Sequence, residues 1–361
     1  MYLKRIEKVR KLFTKSGISG LLVTNSVNIF YLTGFKGHSE VERESLFFIS
    51  TNKKAILILP RLYQQAGKLV EKYGIDVKVV KERHFLFPEA AVLLPSLRVG
   101  IEDDNLRVSE YQILRKSSKA KLKEVAGLVE GVRVIKDSAE MKLVRKAVKI
   151  TDQAFNKIKK EIKVGMTEKQ VARRIDELFL ELGADGAAFS TIVANGEGSS
   201  IPHYVPTDKK ISKGILLIDA GAKYKGYNGD LTRTFYVGKP DRKFVDKYNF
   251  LLEIQKKALG YVLAKEKEED PWRKTNDLLG GESKYFIHGL GHGIGLEVHE
   301  SPYLRKGKVD ILKEGMLITV EPGIYYSNWG GIRIEDYVLV TKSGLEVISK
   351  APKDIASVTL R

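Results

Sequence analysis

The sequence predicts an α/β domain followed by an α+β domain, and three observations support this fold class. The chain has 361 residues, a length that suggests more than one hydrophobic core. In the first 125 residues, short apolar runs alternate with helical patterns, as in α/β domains. After residue 137, two long helical patterns precede a series of β-patterned runs. We expect domains at 1–125 and 138–361, joined by a linker at 126–137.

Five apolar runs in the first domain predict strands, because each is short and rich in aliphatic residues. They are GLLVTN (20–25), LFFIS (46–50), KAILILP (54–60), DVKVV (76–80) and LRVGIED (97–103). Segments 5–17 and 61–74 have helical spacing, and each closes on a glycine, a common residue after a helix end. The alternation predicts a largely parallel or mixed sheet.

The second domain opens with two predicted helices that carry capping signals. Asp137 is followed by Glu140, and Thr167 by Gln170, and each pair has the form of a capping box. The second helix is predicted to run to Gly183. The β-patterned runs that follow predict an antiparallel sheet with helices around it: ILLIDAGA (215–222), DLTRTFYVG (230–238), MLITVEPGIYY (316–326) and IRIEDYVLVT (332–341).

Composition excludes several kinds of site. The chain has no cysteine, so thiolate catalysis and cysteine-bound zinc are ruled out, and a metal must be held by His, Asp or Glu. No apolar run reaches the roughly 18 to 20 residues that span a bilayer, and MYLKRIEKVRKLF lacks the apolar stretch of a secretory signal. We therefore expect a cytoplasmic protein. The net charge is +17, but lysines are mixed with glutamates, which indicates a solvated surface rather than a nucleic-acid site.

Four carboxylates occupy comparable places in two predicted hairpins. Asp219 ends an apolar run, and Asp230 begins the return strand eleven residues later. Glu321 ends a second run, and Glu335 is predicted to lie inside the strand that follows. A hairpin brings such residues onto one face, where like charges repel unless a cation lies between them. Any single acid has the alternative of capping a strand or pairing with an arginine.

Three of the six histidines lie in one segment, FIHGLGHGIGLEVHE (286–300). Oxygen-rich ligands with one imidazole and no sulfur suit Mn, Co, Fe or Zn in a carboxylate-bridged pair. Two metals about 3.5 to 4 Å apart can share a water, lower its pKa and stabilise a hydrolytic transition state. The residues alone therefore predict a two-metal hydrolase, without naming the bond that is cleaved.

The motifs IDAGAKYKGYNGDLTRTF, HGLGHGIGLEVHE, VEPGIY and GIRIEDYVLVT resemble those of the pita-bread metallopeptidases, which include prolidase, aminopeptidase P and methionine aminopeptidase. The resemblance covers 138–361 and implies a curved antiparallel sheet there. The first 125 residues, with NIFYLTGF as the best local match, resemble the creatinase-type N-terminal domain of prolidase and aminopeptidase P. Methionine aminopeptidases lack this domain and are disfavoured. The resemblance also implies a homodimer.

The resemblance implies ligands for two divalent metal ions, Mn foremost, with Co, Zn or Fe as alternatives. Asp219 would chelate one metal, and Asp230 and Glu335 would bridge both. His292 and Glu321 would complete the second site. Glu321 would also carry a proton from the bridging water to the leaving amine.

The resemblance places further residues around the substrate. His299 would hydrogen-bond the scissile region and stabilise the tetrahedral intermediate. His288 and His203 would lie in the substrate pocket, and Arg333 would orient Glu335 or a substrate group. A purely structural role is the alternative for His288, His203 and Arg333.

The implied reaction is hydrolysis of the bond between an N-terminal residue and proline. That bond is a tertiary amide with no N–H and a rigid ring, so it requires a shaped pocket. Tyr204, Tyr325 and Tyr326 are candidates to line it. An Xaa-Pro dipeptidase (prolidase) is favoured slightly over aminopeptidase P, which accepts longer peptides. A non-catalytic binding module and a metal-free creatinase-like hydrolase are disfavoured by the complete ligand set.

A dipeptidase must bind the free carboxylate of its substrate, and two segments could supply the contact. Arg305 or Lys308 could form a positive end to the pocket. The loop FKGHSEVERES could close the site of a partner subunit, and a solvated loop is its alternative; its charged candidates are His38, Glu40, Glu42 and Arg43. The charged segment 265–283 departs from the helical run usual in the family and leaves the pocket rim open to question.

Overall fold

The computed structural model describes residues 1–39 and 41–360, and the predicted loop residue Glu40 lies outside them. The chain divides into two compact units, the first of which is Met1–Arg133 and the second of which begins at Val134. Within the described ranges, no helix is long and apolar enough to cross a membrane.

The first unit contains a six-stranded mixed sheet. Its strands are β1 (Gly20–Val23), β2 (Leu46–Ser50), β3 (Ile56–Pro60), β4 (Asp76–Val80), β5 (Arg98–Ile101) and β6 (Lys121–Glu124). In the order β4-β3-β2-β1-β5-β6, β2 is antiparallel to both of its neighbours and the other pairs are parallel. The five predicted strands and the mixed sheet are confirmed. The sixth strand, β6, was not predicted, because its residues are mostly charged and exposed and form no apolar run.

The first unit also contains seven α-helices among its described residues. They are α1 (Tyr2–Arg10), α2 (Phe13–Ser16), α3 (Ser26–Thr33), α4 (Gln64–Glu71), α5 (Leu86–Leu93), α6 (Val108–Ser117) and α7 (Glu130–Arg133). The helix predicted at 5–17 is divided between α1 and α2. It ends at Gly17, whose φ of 61° lies in the left-handed region that glycine adopts without strain.

The second unit has four α-helices among its described residues: α8 (Ser138–Glu161), α9 (Glu168–Glu181), α10 (Arg242–Leu259) and α11 (Glu269–Leu279). Both predicted capping boxes are present, at Asp137 with Glu140 and at Thr167 with Gln170. The charged segment 265–283, which departs in sequence from the helical run usual in the family, nevertheless contains the helix α11. The departure in sequence therefore does not remove the helix from this segment.

The strands of the second unit form two larger and two smaller sheets. They are β7 (Gly186–Ala187), β8 (Ile192–Asn195), β9 (Gly214–Ala220), β10 (Ala222–Tyr224), β11 (Tyr227–Asn228), β12 (Leu231–Val237), β13 (Gly291–Gly293), β14 (Glu300–Leu304), β15 (Leu317–Val320), β16 (Gly323–Tyr326), β17 (Gly330–Arg333), β18 (Asp336–Thr341), β19 (Gly344–Val347) and β20 (Thr359–Leu360). The larger sheets have the orders β20-β12-β9-β8 and β14-β13-β15-β18-β19. Apart from the parallel pair β12–β20, the named pairs are antiparallel, which confirms the predicted α+β domain.

One hydrophobic core joins these helices and sheets. Phe155 of α8, Phe179 of α9 and Leu251 of α10 are at most 2% exposed. They belong to the same cluster as Leu216 of β9 and Ile318 of β15. The core therefore holds both larger sheets against the helices and fixes the strand ends at which the polar residues lie.

The prediction that Glu335 lies inside a continuous strand is wrong. The run IRIEDYVLVT is divided into β17 and β18, which belong to different sheets. At the break, the backbone N–H of Ile334 donates to Pro322 O at 3.3 Å, and that of Glu335 donates to Thr232 O at 3.3 Å. Because the chain changes partners here, Glu335 lies at the junction between the sheets.

Candidate active site

The first pair of acids lies at one end of the β9–β12 hairpin. Asp219 on β9 is opposite Thr232, and Asp230 immediately precedes β12. The connection between the strands folds back tightly, since a Cβ on Gly221 would lie 1.7 Å from Gly229 O. Only glycine permits that approach. The predicted hairpin is thus confirmed, and it brings the two carboxylates to one edge.

The second pair lies at the matching end of β15 and β18. Val320 pairs with Asp336, so Glu321, which follows β15, and Glu335, which precedes β18, leave the sheet side by side. His292 lies on the neighbouring strand β13, and its backbone N–H donates to Thr319 Oγ1 at 3.0 Å. The five residues predicted as metal ligands therefore come from four strand ends and one strand interior.

These five side chains converge. Asp219, Asp230 and Glu335 each offer a carboxylate oxygen within 4.8 Å of the other two. Nε2 of His292 lies 3.7 Å from Asp230 Oδ2 and 3.2 Å from Glu321 Oε1. The Nδ1 atom of His292 faces Gly293 O at 3.1 Å, which leaves Nε2 as the ring nitrogen that points into the cluster.

The electrostatics of the cluster are those of crowded like charges. Burial raises the pKa values of Asp230 and Glu335 well above their ordinary range, and the neighbouring carboxylates add to this. Burial also acts to raise the pKa of Glu321, but the hydrogen bond and charge of His292 lower it to about 2. Burial acts to lower the pKa of His292, and Glu321 raises it. The crowded acids therefore favour positive charge at the place that Nε2 of His292 faces.

The residues present fit a divalent metal. Two buried carboxylate oxygens, Asp219 Oδ1 and Glu335 Oε1, have no hydrogen-bond partner among the described residues. Buried polar atoms of this kind are costly unless they are bonded or bound to a metal. The donor set of carboxylates with one imidazole suits first-row divalent ions. The cluster can therefore hold a metal ion through atoms that the protein itself leaves unsatisfied.

A buried arginine is hydrogen-bonded to one of the acids and to a threonine beside them. Arg333 donates from Nη2 to Asp219 Oδ2 at 2.6 Å and from Nε to Thr232 Oγ1 at 2.9 Å. Thr232 Oγ1 in turn donates to Glu335 Oε2 at 2.8 Å. Arg333 therefore reaches Glu335 through Thr232. Thr232 is not among the site residues predicted from the sequence, although the period-2 alternation of a strand places it on the same face as Asp230.

A cavity of 540 Å³ opens over the cluster. Beside the acids and His292, it is lined by the predicted pocket residues His203, Tyr204, His288, His299, Arg305 and Arg333. Tyr325 lies behind this wall, where its hydroxyl contacts Arg333 Nη1 at 3.0 Å and His288 Nε2 at 2.8 Å. Tyr326 instead packs against Tyr285 and Trp329.

The pocket histidines differ in their freedom to contact a ligand. Both ring nitrogens of His288 are engaged, by Gly289 O at 2.7 Å and by the Tyr325 hydroxyl. Burial lowers the pKa values of His288 and His299, and the charge of His292 adds to the effect at His299. Both imidazoles are thus held neutral. His38 is exposed and belongs to the first unit, and its role stays a prediction.

Residues 142–342 match the family model described as metallopeptidase family M24, a match that covers more than half of the chain. The chain belongs to metallopeptidase family M24. Residues 5–135 match the creatinase/prolidase N-terminal domain that accompanies it. The resemblance to the pita-bread metallopeptidases and the predicted fold class, a creatinase-type domain plus a pita-bread catalytic domain, are confirmed.

Proteins similar to this chain cover nearly its whole length. The Xaa-Pro dipeptidase of Pyrococcus horikoshii is 34% identical over 98% of both chains. The solved structure of the Xaa-Pro dipeptidase from Bacillus anthracis is 34% identical, covers 100% of both chains and superimposes with a TM-score of 0.93. The X-Pro aminopeptidase from Thermotoga maritima is 30% identical over 94% of this chain and 97% of that one, with a TM-score of 0.84.

Proposed function

We propose that this protein is a metal-dependent Xaa-Pro dipeptidase that hydrolyses the bond between an N-terminal residue and proline. The observation that carries the proposal is the convergence of four acids and His292 beneath a cavity of dipeptide size or more, 540 Å³. The relatives from P. horikoshii and B. anthracis, both Xaa-Pro dipeptidases, support the substrate class. A cytoplasmic location and a homodimeric state are further proposed, and the family resemblance implies the homodimer.

The proposed ligands hold two divalent ions, with manganese favoured over cobalt, zinc or iron. Asp219 would hold one ion, His292 and Glu321 would hold the other, and Asp230 and Glu335 would be shared between them. When bound, such a pair supplies an activated water and stabilises developing negative charge. The unsatisfied oxygens of Asp219 and Glu335 are the atoms of this chain that support the assignment most directly.

The remaining roles belong to the protein's own side chains. Glu321 would accept a proton from the attacking water and pass it to the proline nitrogen as the C–N bond breaks. His299, a neutral imidazole at the cavity wall, donates a hydrogen bond to the oxygen that becomes negative. His203 contacts the substrate from the opposite lining loop. Arg333 keeps Asp219 in position and presents its buried charge to the cavity.

The decisive experiment is product analysis by mass spectrometry after the manganese-loaded protein has been incubated with Met-Pro and Met-Pro-Gly together. We expect free proline from the dipeptide as the main product. Pro-Gly as the main product would identify an aminopeptidase P with an open exit. If the metal-loaded sample released neither free proline nor Pro-Gly, peptidase function would be contradicted. An Asp230→Ala sample serves as the inactive control.

The substrate carboxylate gives a second test. Arg305 lines the cavity, with its guanidinium 5.2 Å from the Tyr303 ring centre. Lys308 lies 5.5 Å from the same ring but is not among the lining residues. We expect Arg305→Ala to raise KM for Met-Pro about tenfold, since one charged hydrogen bond is worth roughly 1.4 kcal/mol or more. The KM for Met-Pro-amide should not change.

Lys308→Ala is the matched control for Arg305, because it removes a cation from the same aromatic ring without touching the cavity lining. Its KM for Met-Pro should equal that of the unmodified protein. An Arg305→Ala variant with unchanged KM for the dipeptide would remove Arg305 from carboxylate recognition. Equal increases for the dipeptide and its amide would assign Arg305 to pocket shape instead.

A further inference from the structure

We propose that Glu168 is a positioning residue that fastens the loop 196–213 to helix α9 and thereby determines how tightly the candidate active site binds its substrate. The loop connects β8 to β9 and supplies one wall of the cavity. Four of its residues line that cavity, namely Pro202, His203, Tyr204 and Val205. The inference rests on the proposed function for its kinetic consequence, but the fastening itself can be measured independently.

The carboxylate of Glu168 is fully buried, at 0% exposure, and accepts four hydrogen bonds. Its Oε2 atom accepts from the Tyr204 hydroxyl at 3.0 Å. The same atom accepts from the backbone N–H of Thr207 at 3.0 Å and from its hydroxyl at 2.7 Å. Its Oε1 atom accepts from the backbone N–H of Asn195 at 2.9 Å. One side chain thus holds the residue that precedes the loop and two residues that follow His203.

Backbone bonds place the helix and the loop in register beneath this carboxylate. The N–H groups of Glu168 and Lys169 donate to Lys209 O at 3.0 Å and Thr207 O at 3.1 Å. On the far side of the loop, Arg333 Nη1 donates to Pro202 O at 3.3 Å. The loop is therefore attached at one side to α9 and at the other to the arginine that holds Asp219.

The order of the loop before substrate arrives affects the free energy of binding. A loop that carries binding residues but lacks buried attachments must be ordered by the substrate, and the lost freedom of its side chains and backbone weakens binding. The carboxylate of Glu168 is the only side chain among the described residues that bonds to Asn195, Tyr204 and Thr207 together. Its removal would leave these donors without their buried acceptor. The proposed metal ligands lie outside this loop, at four strand ends and inside β13.

The experiment compares Glu168→Ala and Glu168→Gln with Lys169→Ala as a matched control. Lys169 lies next along α9 and pairs with Asp208 of the same loop at 2.8 Å, but both side chains are more than half exposed. Such a pair contributes little. We expect Glu168→Ala to raise KM for Met-Pro about tenfold or more while kcat stays within about threefold. Glu168→Gln keeps an acceptor and should recover part of the loss, and Lys169→Ala should match the unmodified protein.

Limited trypsin digestion supplies the readout that does not depend on activity. Lys209 and Lys210 lie in the fastened part of the loop. Cleavage after these residues should be about tenfold faster in Glu168→Ala than in Lys169→Ala. Manganese binding measured by calorimetry should be equal in both variants. Slower turnover with unchanged KM and unchanged digestion would overturn the proposal, as would a KM increase of the same size in Lys169→Ala.

A second variant keeps the proposal testable if Glu168→Ala fails to fold. Thr207→Val removes only the hydroxyl that donates to Glu168 Oε2 and keeps the shape of the side chain. It should raise KM and the digestion rate by smaller amounts in the same direction, and no change in either would overturn the proposal. Absence of proline release by the unmodified protein would contradict the proposed function alone, since the digestion comparison would still measure the fastening.

Discussion

Asp230→Ala is expected to abolish turnover while the second unit stays folded. Asp230 is 7% exposed, and its carboxylate lies within 4.8 Å of those of Asp219 and Glu335 and 3.7 Å from His292 Nε2. Asp230 is one of the two acids that the proposed pair of metal ions would share. Loss of a residue behind a metal ligand costs about 10- to 100-fold, so loss of a bridging ligand should cost more than about 100-fold in kcat. The substitution also removes one of the repelling charges, which limits its effect on folding.

The measurements are proline release from Met-Pro and manganese binding by calorimetry. His292→Ala should behave like Asp230→Ala, because its Nε2 atom points into the same cluster. Asp246→Ala is the control, since this aspartate is exposed and pairs with Arg242 at 3.6 Å. Full activity in either Asp230→Ala or His292→Ala would contradict the ligand assignment. If a variant bound metal normally but lost turnover, the substituted residue would be assigned to proton transfer and not to metal binding.

Arg233→Ala is expected to lower the stability of the second unit by about 3–5 kcal/mol, the cost of breaking a buried ion pair. Arg233 is 1% exposed and is among the largest fully buried side chains. Its guanidinium bonds Asp336 Oδ1 at 2.9 Å and Ala351 O at 2.7 Å, and it also donates to Glu335 O. Asp336 is 2% exposed, and without Arg233 its buried carboxylate would lose one of its two cationic partners. The side-chain donors that remain to it are Lys353, Gln255 and Ser349.

Denaturant unfolding followed by tryptophan fluorescence measures this loss. The two tryptophans of the chain, Trp272 and Trp329, both lie in the second unit, so the signal reports on that unit alone. Arg145→Ala is the matched control. Arg145 also bonds a carboxylate with two nitrogens, that of Glu346 at 2.7 and 2.6 Å, but at the surface. Its loss should cost less than about 1 kcal/mol. Equal losses in the two variants would contradict the special importance of the buried network.

The sequence was sufficient to identify the family and the fold because the informative residues lie at strand ends with fixed spacing. Asp219 and Asp230 are eleven residues apart, and the β9–β12 hairpin requires that separation to bring them together. The capping boxes at Asp137 and Thr167 likewise depend on neighbours only three residues away. Local patterns of this kind can be recognised without knowledge of the tertiary structure.

Features that depend on distant contacts were not predictable in this way. Glu335 lies at a change of sheet, which a continuous β pattern hides. Glu168 looks like an ordinary acid in the first turn of a helix, yet it bonds residues 27 to 39 positions away. Arg233 resembles any strand arginine until Ala351 and Asp336 fold against it. In each case the deciding partner is far along the chain.

The order of the strands has a consequence for protein synthesis. β18 lies between β15 and β19 in the five-stranded sheet, and Glu335 and Asp336 stand at its start, more than 100 residues after Asp219 and Asp230. In a growing chain, Asp219, Asp230 and His292 are synthesised more than 40 residues before Glu335 and β18. The nascent protein is therefore expected to be unable to cut peptides until β18 has formed and placed Glu335 beside the other acids.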